Sequence, residues 1–352
     1  MTAILRKMTL CTSTLLMMLA ATLPAAAAEE FERVPYSGTY DVFARPHDVR
    51  GDGMGGTGTA GAEGPLAAWW NPATVSVRDG ATVGYQGFGQ FFDGQQQWAT
   101  GAAVARGRLQ AGVIAGRWSG ELPLVTLVGD TVSVGSRQDQ LLVHAACELG
   151  PTLFGEDSGT VLRAGVAGRR HRLEVAGGEA STWSADLGVV AGRGPEHLAA
   201  AGDWRWRAGA VFAGLAGDGR DIGSLGIDPV RRLSYGAAVG VCLARRDDGG
   251  DLLDLNVAGD WVLYRRDGDW FDAAEWRGGA ELLVGGLVAI RHGLAAEHAQ
   301  SPYAGDAWGL GVRWRDPRGR FEMSADYARL DLDGAVFRDA VDRVGVALRA
   351  GF

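Results

Sequence analysis

From Gly80 to Phe352, its last residue, the chain alternates with period two. Val344, Val346, Leu348, Ala350 and Phe352 alternate with Arg343, Gly345, Ala347, Arg349 and Gly351. Phe321, Met323, Ala325 and Tyr327 alternate with Glu322, Ser324, Asp326 and Ala328, and Trp308, Leu310, Val312 and Trp314 with Gly309, Gly311, Arg313 and Arg315. Successive side chains of a strand point to opposite faces, so one face is apolar and the other small or charged. A soluble sandwich alternates in the same way. Length separates the two cases: many runs reach the roughly 9–11 residues a tilted strand needs to cross a bilayer, against about 5–6 for a soluble strand.

Runs of this kind start near Gly80, Trp98, Leu109, Ser136, Thr160, Thr182, Arg205, Arg232, Leu252, Glu275, Leu287, Asp306, Arg320 and Asp342. That is about fourteen, an even number, which puts both ends of the sheet on one side, as in bacterial single-chain barrels. One set of connections is tight, as at Arg106-Gly107, Gly285-Gly286 and Asp316–Gly319. The other is longer, as at Gly120–Gly135, Ala216–Pro229, Asp267–Ala274 and Asp331–Ala340. Gly150–Ser158 and Arg193–Asp203 are longer than this scheme expects. The predicted fold is an all-β, transmembrane antiparallel barrel of about fourteen strands over residues 79–352, with an N-terminal plug segment in its lumen.

The first 28 residues read as a cleavable export signal. Arg6 and Lys7 precede the apolar run Met8–Leu23, and Ala25–Ala28 supply a small-residue cleavage region before Glu29. No later run has 18 apolar residues, so no transmembrane helix is predicted. Export, together with membrane-length strands, predicts the outer membrane. The net charge of −8 argues against a nucleic-acid partner, which rewards basic patches. Cys147 and Cys242, in distant strands, are predicted to be separate thiols.

The second organising stretch is Gly51–Val77, GDGMGGTGTAGAEGPLAAWWNPATVSV. It matches G-x-G-x-x-G twice, at Gly51/Gly53/Gly56 and Gly56/Gly58/Gly61. A dinucleotide fold needs a buried strand before these glycines and a helix after them. Here Ala44–Arg50 is polar and holds Pro46, and Trp69-Trp70-Asn71-Pro72 stops any helix early. Close backbone packing is the remaining reason for the glycines. A barrel of about fourteen strands encloses more room than its side chains fill. Residues 29–78 are therefore predicted to plug it, with Gly53, Gly55, Gly56 and Gly58 against the wall. Trp69 and Trp70 supply bulk, Asn71 supplies ties, and Pro72 and Ala73 form a fixed exit into the first strand.

The alternation also points charges inward, where opposite signs must pair with each other or with the plug. Asp254, Asp260, Arg313, Arg315, Glu322, Asp326 and Arg349 are the predicted lumen network. An apolar solute is expected to rest near Trp69 and Trp70. The apolar stretch Glu121–Gly135 reads equally as a ligand funnel, a partner contact or a strand extension. His144, His171, His197, His292 and His298 are scattered, and no H-E-x-x-H, G-x-S-x-G or paired-Cys spacing occurs. Neither an enzyme nor a cofactor or metal is predicted.

With these residues in view, the chain resembles the FadL-like outer-membrane barrels, and more closely their PorV/PorQ-type branch. The similar stretches are Gly53-Met54-Gly55-Gly56 through Trp69-Trp70-Asn71-Pro72-Ala73, Ala280-Glu281-Leu282 through Ile290-Arg291-His292-Gly293, Gly309–Trp314, Ala325-Asp326-Tyr327, and Arg343–Leu348. The acidic pair expected before the Asn-Pro-Ala is here Glu63 followed by Gly64-Pro65. The resemblance implies passage of hydrophobic small molecules across the outer membrane. The alternative it implies is a non-enzymatic scaffold or shuttle for exported proteins. Implied partners are outer-membrane lipids, the barrel assembly machinery, and hydrophobic small molecules or exported proteins. The terminal aromatic, Phe352, looks like the assembly signal of such barrels. Phe352→Ala is expected to slow insertion, read as a lower yield of heat-modifiable barrel in outer-membrane fractions; an undiminished yield would contradict that role.

Overall fold

The computed structural model describes residues 48–74, 80–91, 95–125, 131–155, 159–175, 178–193, 201–215, 220–222, 225–227, 231–245, 251–266, 269–297, 305–316, 320–332 and 340–351. The predicted signal segment 1–28, the first part of the predicted plug and Phe352 lie outside the described residues.

The strands are β1 (Gly80–Phe91), β2 (Gln95–Arg106), β3 (Leu109–Val125), β4 (Thr131–Glu148), β5 (Thr160–Val175), β6 (Gly178–Arg193) and β7 (Trp204–Ala213). The short β8 (Arg220–Ile222) and β9 (Leu225–Ile227) pair only with each other. They are followed by β10 (Arg231–Arg245), β11 (Asp251–Arg266), β12 (Asp269–Val284), β13 (Val288–Glu297), β14 (Gly305–Arg315), β15 (Phe321–Leu332) and β16 (Ala340–Gly351). Fourteen strands, all but β8 and β9, close into one antiparallel barrel in chain order. Closure is made by β1 and β16, from Gly80↔Gly351 to Phe88↔Arg343.

Burial is inside-out relative to a water-soluble domain. Val344 and Val346 are 56% and 49% exposed, whereas Arg343, Arg277 and Glu281 are each 1% exposed. An apolar outer wall of this extent would aggregate in water and is matched to hydrocarbon. On adjacent outward rows, Trp308 and Tyr327 sit 5.3 Å apart at one end of β14 and β15. Trp314 and Phe321 sit 6.0 Å apart at the other. The two aromatic pairs bracket an apolar band about 20 Å long along the strand, as interfacial girdles do.

The end of the barrel carrying Gly80 and Gly351 also carries the tight turns. Gly107 turns β2 into β3 with φ 59°, and Gly285 and Gly286 turn β12 into β13 with φ 63° and 66°. These are left-handed positions that favour glycine. At the same end, Gly150–Phe154 forms one helical turn within a connection the alternation left too long. At the opposite end, Glu121–Gly135 is largely a strand extension. Glu121↔Gly135 through Val125↔Thr131 pair as a ribbon, beyond the last rungs of β2 (at Ser119) and β5 (at Ser136). The strand reading is thus the one this stretch satisfies, with residues 126–130 outside the described set.

Residues 48–74 lie against the inner wall. The Asp48 carboxylate caps the single helical turn Val49–Gly53, accepting from the backbone N–H of Arg50 and Gly51. A 3-10 turn follows at Ala67–Trp69. Inward glycines mark where this segment touches the strands. A Cβ on Gly293 would lie 2.0 Å from Gly55 N, one on Gly279 2.3 Å from Met54 O, and one on Gly209 2.4 Å from Thr59 O. One on Gly165 would meet Pro72, and one on Gly101 would meet Pro65. These wall positions come from β13, β12, β7, β5 and β2, so the segment crosses the lumen rather than following one strand. Gly293→Val is therefore expected to leave a heat-modifiable barrel but to unseat Met54–Gly55. The readout is faster amide exchange across residues 54–60 by mass spectrometry; unchanged protection would show that this contact is dispensable.

Candidate functional site

An irregular chain inside a barrel has no ladder of its own, so its backbone groups need partners from the wall. Four wall side chains provide many of them. Asp260 of β11 accepts from Gly58 N at 2.7 Å, Thr59 N at 2.9 Å and Thr59 Oγ1 at 2.9 Å. Arg169 of β5 donates to Trp69 O at 3.1 Å while paired with Asp186 of β6. Gln86 of β1 accepts from Val49 N at 3.2 Å, and Gln110 of β3 donates to Thr74 O at 3.2 Å.

The segment reciprocates through Asn71. Its amide donates to Thr59 O, Val189 O and Ala210 O at 2.9, 3.1 and 3.3 Å, and its Oδ1 accepts from Ala73 N at 2.9 Å. Only a glycine admits it there: a Cβ on Gly188 of β6 would lie 2.0 Å from Asn71 Oδ1. Asp52 forms an ion pair with Arg343 of β16, and both side chains are almost fully buried. Breaking such a buried pair costs about 3–5 kcal/mol, against about 0–1 kcal/mol for exposed pairs such as Arg329–Asp331. The Asp52–Arg343 pair therefore matters far more to the seating of the segment than the surface pairs do.

The two tryptophans are enclosed. Trp69 joins Leu66 and Ala68 in a cluster with Ala99, Ile114, Trp118, Leu142 and Ala167 of the β2–β5 wall. Trp70 packs with Ala62 and Ala67 and covers Gly51 and Gly58. The expected resting place for a solute beside Trp69 and Trp70 is thus filled by protein side chains.

Open space lies elsewhere. A cavity of about 260 Å³ is bounded by Asp48, Arg50 and Glu63–Leu66 on the segment side and by strand residues towards the Gly80/Gly351 end. Neither tryptophan lines it. Glu281 of β12 lines it. Arg50 grips this carboxylate with two bonds of 2.8 and 3.0 Å, Arg291 Nε donates at 2.7 Å, and Asn256 Nδ2 at 3.3 Å. Arg50 also reaches Glu63 at 3.0 Å, and Arg291 reaches Asp326 at 2.7 Å.

The seven predicted lumen charges do not gather into one network. Asp260 serves the segment backbone, Asp326 belongs to the Arg291 cluster, and Asp254 lies 3.9 Å from Arg245. Glu322 takes Arg315 at 2.7 Å and Arg313 at 3.5 Å. Arg349 faces the cavity with no carboxylate at ion-pair distance among the described residues. The hub that joins segment to wall, Arg50–Glu281–Arg291, is missing from the predicted set. One signal for it exists: Glu281 and Arg291 are direct cross-strand partners within the β12–β13 hairpin. Among the described residues no group of three His, Cys, Asp or Glu is placed to hold a metal ion.

Burial opposes the charge on Arg50, but Glu281 and Glu63 outweigh it and hold its pKa well above the usual value. Burial likewise opposes ionisation of Glu63, and Arg50, Arg205 and Arg207 hold its carboxyl well below the usual range. Asp48 behaves differently. Withdrawal from water and the neighbouring Asp52 push it up to about 6, against the lowering effect of the Gly51 N–H and Arg50. A carboxyl raised in the folded state binds its proton more tightly there. Its contribution to stability is therefore present below about pH 4 and lost as pH rises through about 6. The thermal transition of the barrel is expected to fall across that window, and Asp48→Asn to flatten the fall; an identical pH profile in the variant would contradict this.

No family model matches the chain, and no curated protein matches it. Among solved structures it is similar to the toluene transporter TodX of P. putida, with 10% identity over 88% of this chain and 99% of that one, at a TM-score of 0.50. It is also similar to a FadL homologue of Pseudomonas aeruginosa, with 11% identity over 87% and 98% and a TM-score of 0.44. CdiB from Acinetobacter baumannii matches with 10% identity over 76% of this chain and a TM-score of 0.39, and the chain spans 59% of CdiB's length. Of these, TodX bears on the fold: the chain shares its overall fold, a closed barrel of fourteen strands.

Proposed function

We propose that this chain is an outer-membrane transport barrel for small hydrophobic molecules, with residues 48–74 as its plug. The observation that carries the reading is the apolar seam between Trp69 and Ala99, Ile114, Trp118, Leu142 and Ala167. Many of the segment's other contacts with the wall are ion pairs or hydrogen bonds. A hydrophobic solute gains by displacing apolar contacts along the seam, and gains nothing by displacing charged ones. Asp260, Arg343 and the carbonyls of Val189 and Ala210 that hold Asn71 lie on strands outside the seam, so the seam can loosen while they hold. In this reading Gly53, Gly55, Gly56 and Gly58 bring the backbone to the wall, and Asn71-Pro72-Ala73 fixes its far end. TodX, a toluene transporter, shares the architecture at a TM-score of 0.50. The scaffold or shuttle alternative has no comparable observation in its favour.

The test is to tie the seam shut. Leu66 and Ala99 of β2 belong to one buried cluster, so Leu66→Cys with Ala99→Cys puts one thiol on each side of the seam. In a background with Cys147→Ser and Cys242→Ser, oxidation is expected to abolish barrel-dependent uptake of a labelled monoaromatic hydrocarbon by cells, and reduction to restore it. Uptake indifferent to the lock would overturn the route. Deleting Gly51–Ala73 is expected to raise single-channel conductance in planar bilayers, and unchanged conductance would refute the plug.

A further inference from the structure

We propose that the cargo of the apolar seam is a neutral aromatic molecule carrying a hydroxyl group, a phenol, in preference to a bare hydrocarbon. The inference rests on the transport reading and narrows its cargo. The seam itself is apolar, but both of its rims carry buried polar side chains that a hydrocarbon cannot satisfy.

Gln97 of β2 shares its inward face with Ala99, about 7 Å along the strand, and stands opposite Trp118 of β3. Gln140 of β4 shares its inward face with Leu142 and stands opposite Gly116. Ala99, Trp118 and Leu142 are seam residues, so both glutamines border the seam on the side away from the Gly80/Gly351 end. On the other side of Leu142, His144 leans over Gly112, where a Cβ would lie 2.4 Å from the imidazole Nε2. Gln97, Gln140 and His144 are 3%, 4% and 2% exposed. Among the described residues, Oε1 and Nε2 of Gln97, Nε2 of Gln140 and both ring nitrogens of His144 have no hydrogen-bond partner.

A buried donor or acceptor without a partner keeps the penalty of leaving water, and a visiting molecule that bonds to it relieves that penalty. A phenol hydroxyl both donates and accepts, which matches the oxygen and nitrogen of a carboxamide and the nitrogens of an imidazole. Its ring suits the indoles of Trp69 and Trp118 within the seam. A charged cargo has no counter-charge to claim there. Arg169, opposite Leu142, and Asp186, opposite Ala167, are paired with each other. Arg169 also donates to Trp69 O at 3.1 Å, and Asp186 accepts from Gly214 N at 3.1 Å. A wall that hydrogen-bonds a hydroxyl discriminates against the same ring without one, because its polar groups then stay unmatched.

The test compares p-cresol with toluene, the same methylated ring with and without a hydroxyl. Both are supplied as labelled solutes to porin-deficient cells with and without the full barrel. At limiting concentration, barrel-dependent uptake of p-cresol is expected to exceed that of toluene about tenfold, the effect of one hydrogen bond. Gln97→Leu and Gln140→Leu are each expected to lower the cresol-to-toluene ratio several-fold, and a ratio taken in the same cells cancels differences in barrel yield. If one variant fails to give a heat-modifiable barrel, the other serves in its place. Toluene entering as fast as p-cresol, or a ratio unmoved by these substitutions, would overturn the phenol assignment and leave the transport reading standing. Absence of barrel-dependent uptake of either solute would overturn both.

Discussion

A backbone amide taken out of water must find a partner, and that constraint governs both halves of this molecule. In hydrocarbon it forces the strands into a closed ring, because an open edge would leave a row of unpaired groups facing lipid. Inside the ring the same constraint falls on residues 48–74, which have no ladder of their own. The solution is to place acceptors and donors on the inward rows of the strands: Asp260 under Gly58 and Thr59, Arg169 under Trp69, Gln86 under Val49. The inward charges therefore act largely as the missing secondary structure of an irregular chain.

Glycine works on both sides of that contact. On the segment, Gly58 lies beneath Trp70, where a Cβ would be 2.3 Å from the ring. On the wall, Gly165, Gly188, Gly209, Gly279 and Gly293 stand where the segment's own atoms come closest. Chain composition, 55 glycines in 352 residues, follows from this as much as from turns. A strand glycine ordinarily weakens a sheet, and here it is retained where another backbone needs the space.

Much of the barrel was legible in the sequence because its signal is local. The period-two pattern returns fourteen strands, as the structure does, and places Asp260, Arg313, Glu322 and Arg349 on the inward face. Strand starts slipped where pairing runs past the apolar alternation: β2 begins at Gln95 rather than Trp98, and β4 at Thr131 rather than Ser136. The glycines of the segment divide: Gly53 and Gly55 lie against Gly309 and Leu294 of the wall, whereas Gly58 lies against Trp70 of the segment itself. The Arg50–Glu281 hub was not legible, because its two members lie 231 residues apart and no local pattern encodes their meeting. Nor was the enclosure of Trp69, which depends on side chains from β2 to β5 closing around it at once.

The first turn of the inner segment sits where the two ends of the sheet join. Val49 N is held by Gln86 of β1, and Asp52 by Arg343 of β16. Gln86 and Phe88 face Gly345 and Arg343 across the closing rungs of that junction. A turn bonded to both sides of a closing edge ties the order of events during biogenesis. With Asp52 outside, Arg343 loses the ion pair that ties the turn to β16. Seating the segment and zipping the first strand to the last are thereby coupled, since each supplies contacts that the other uses.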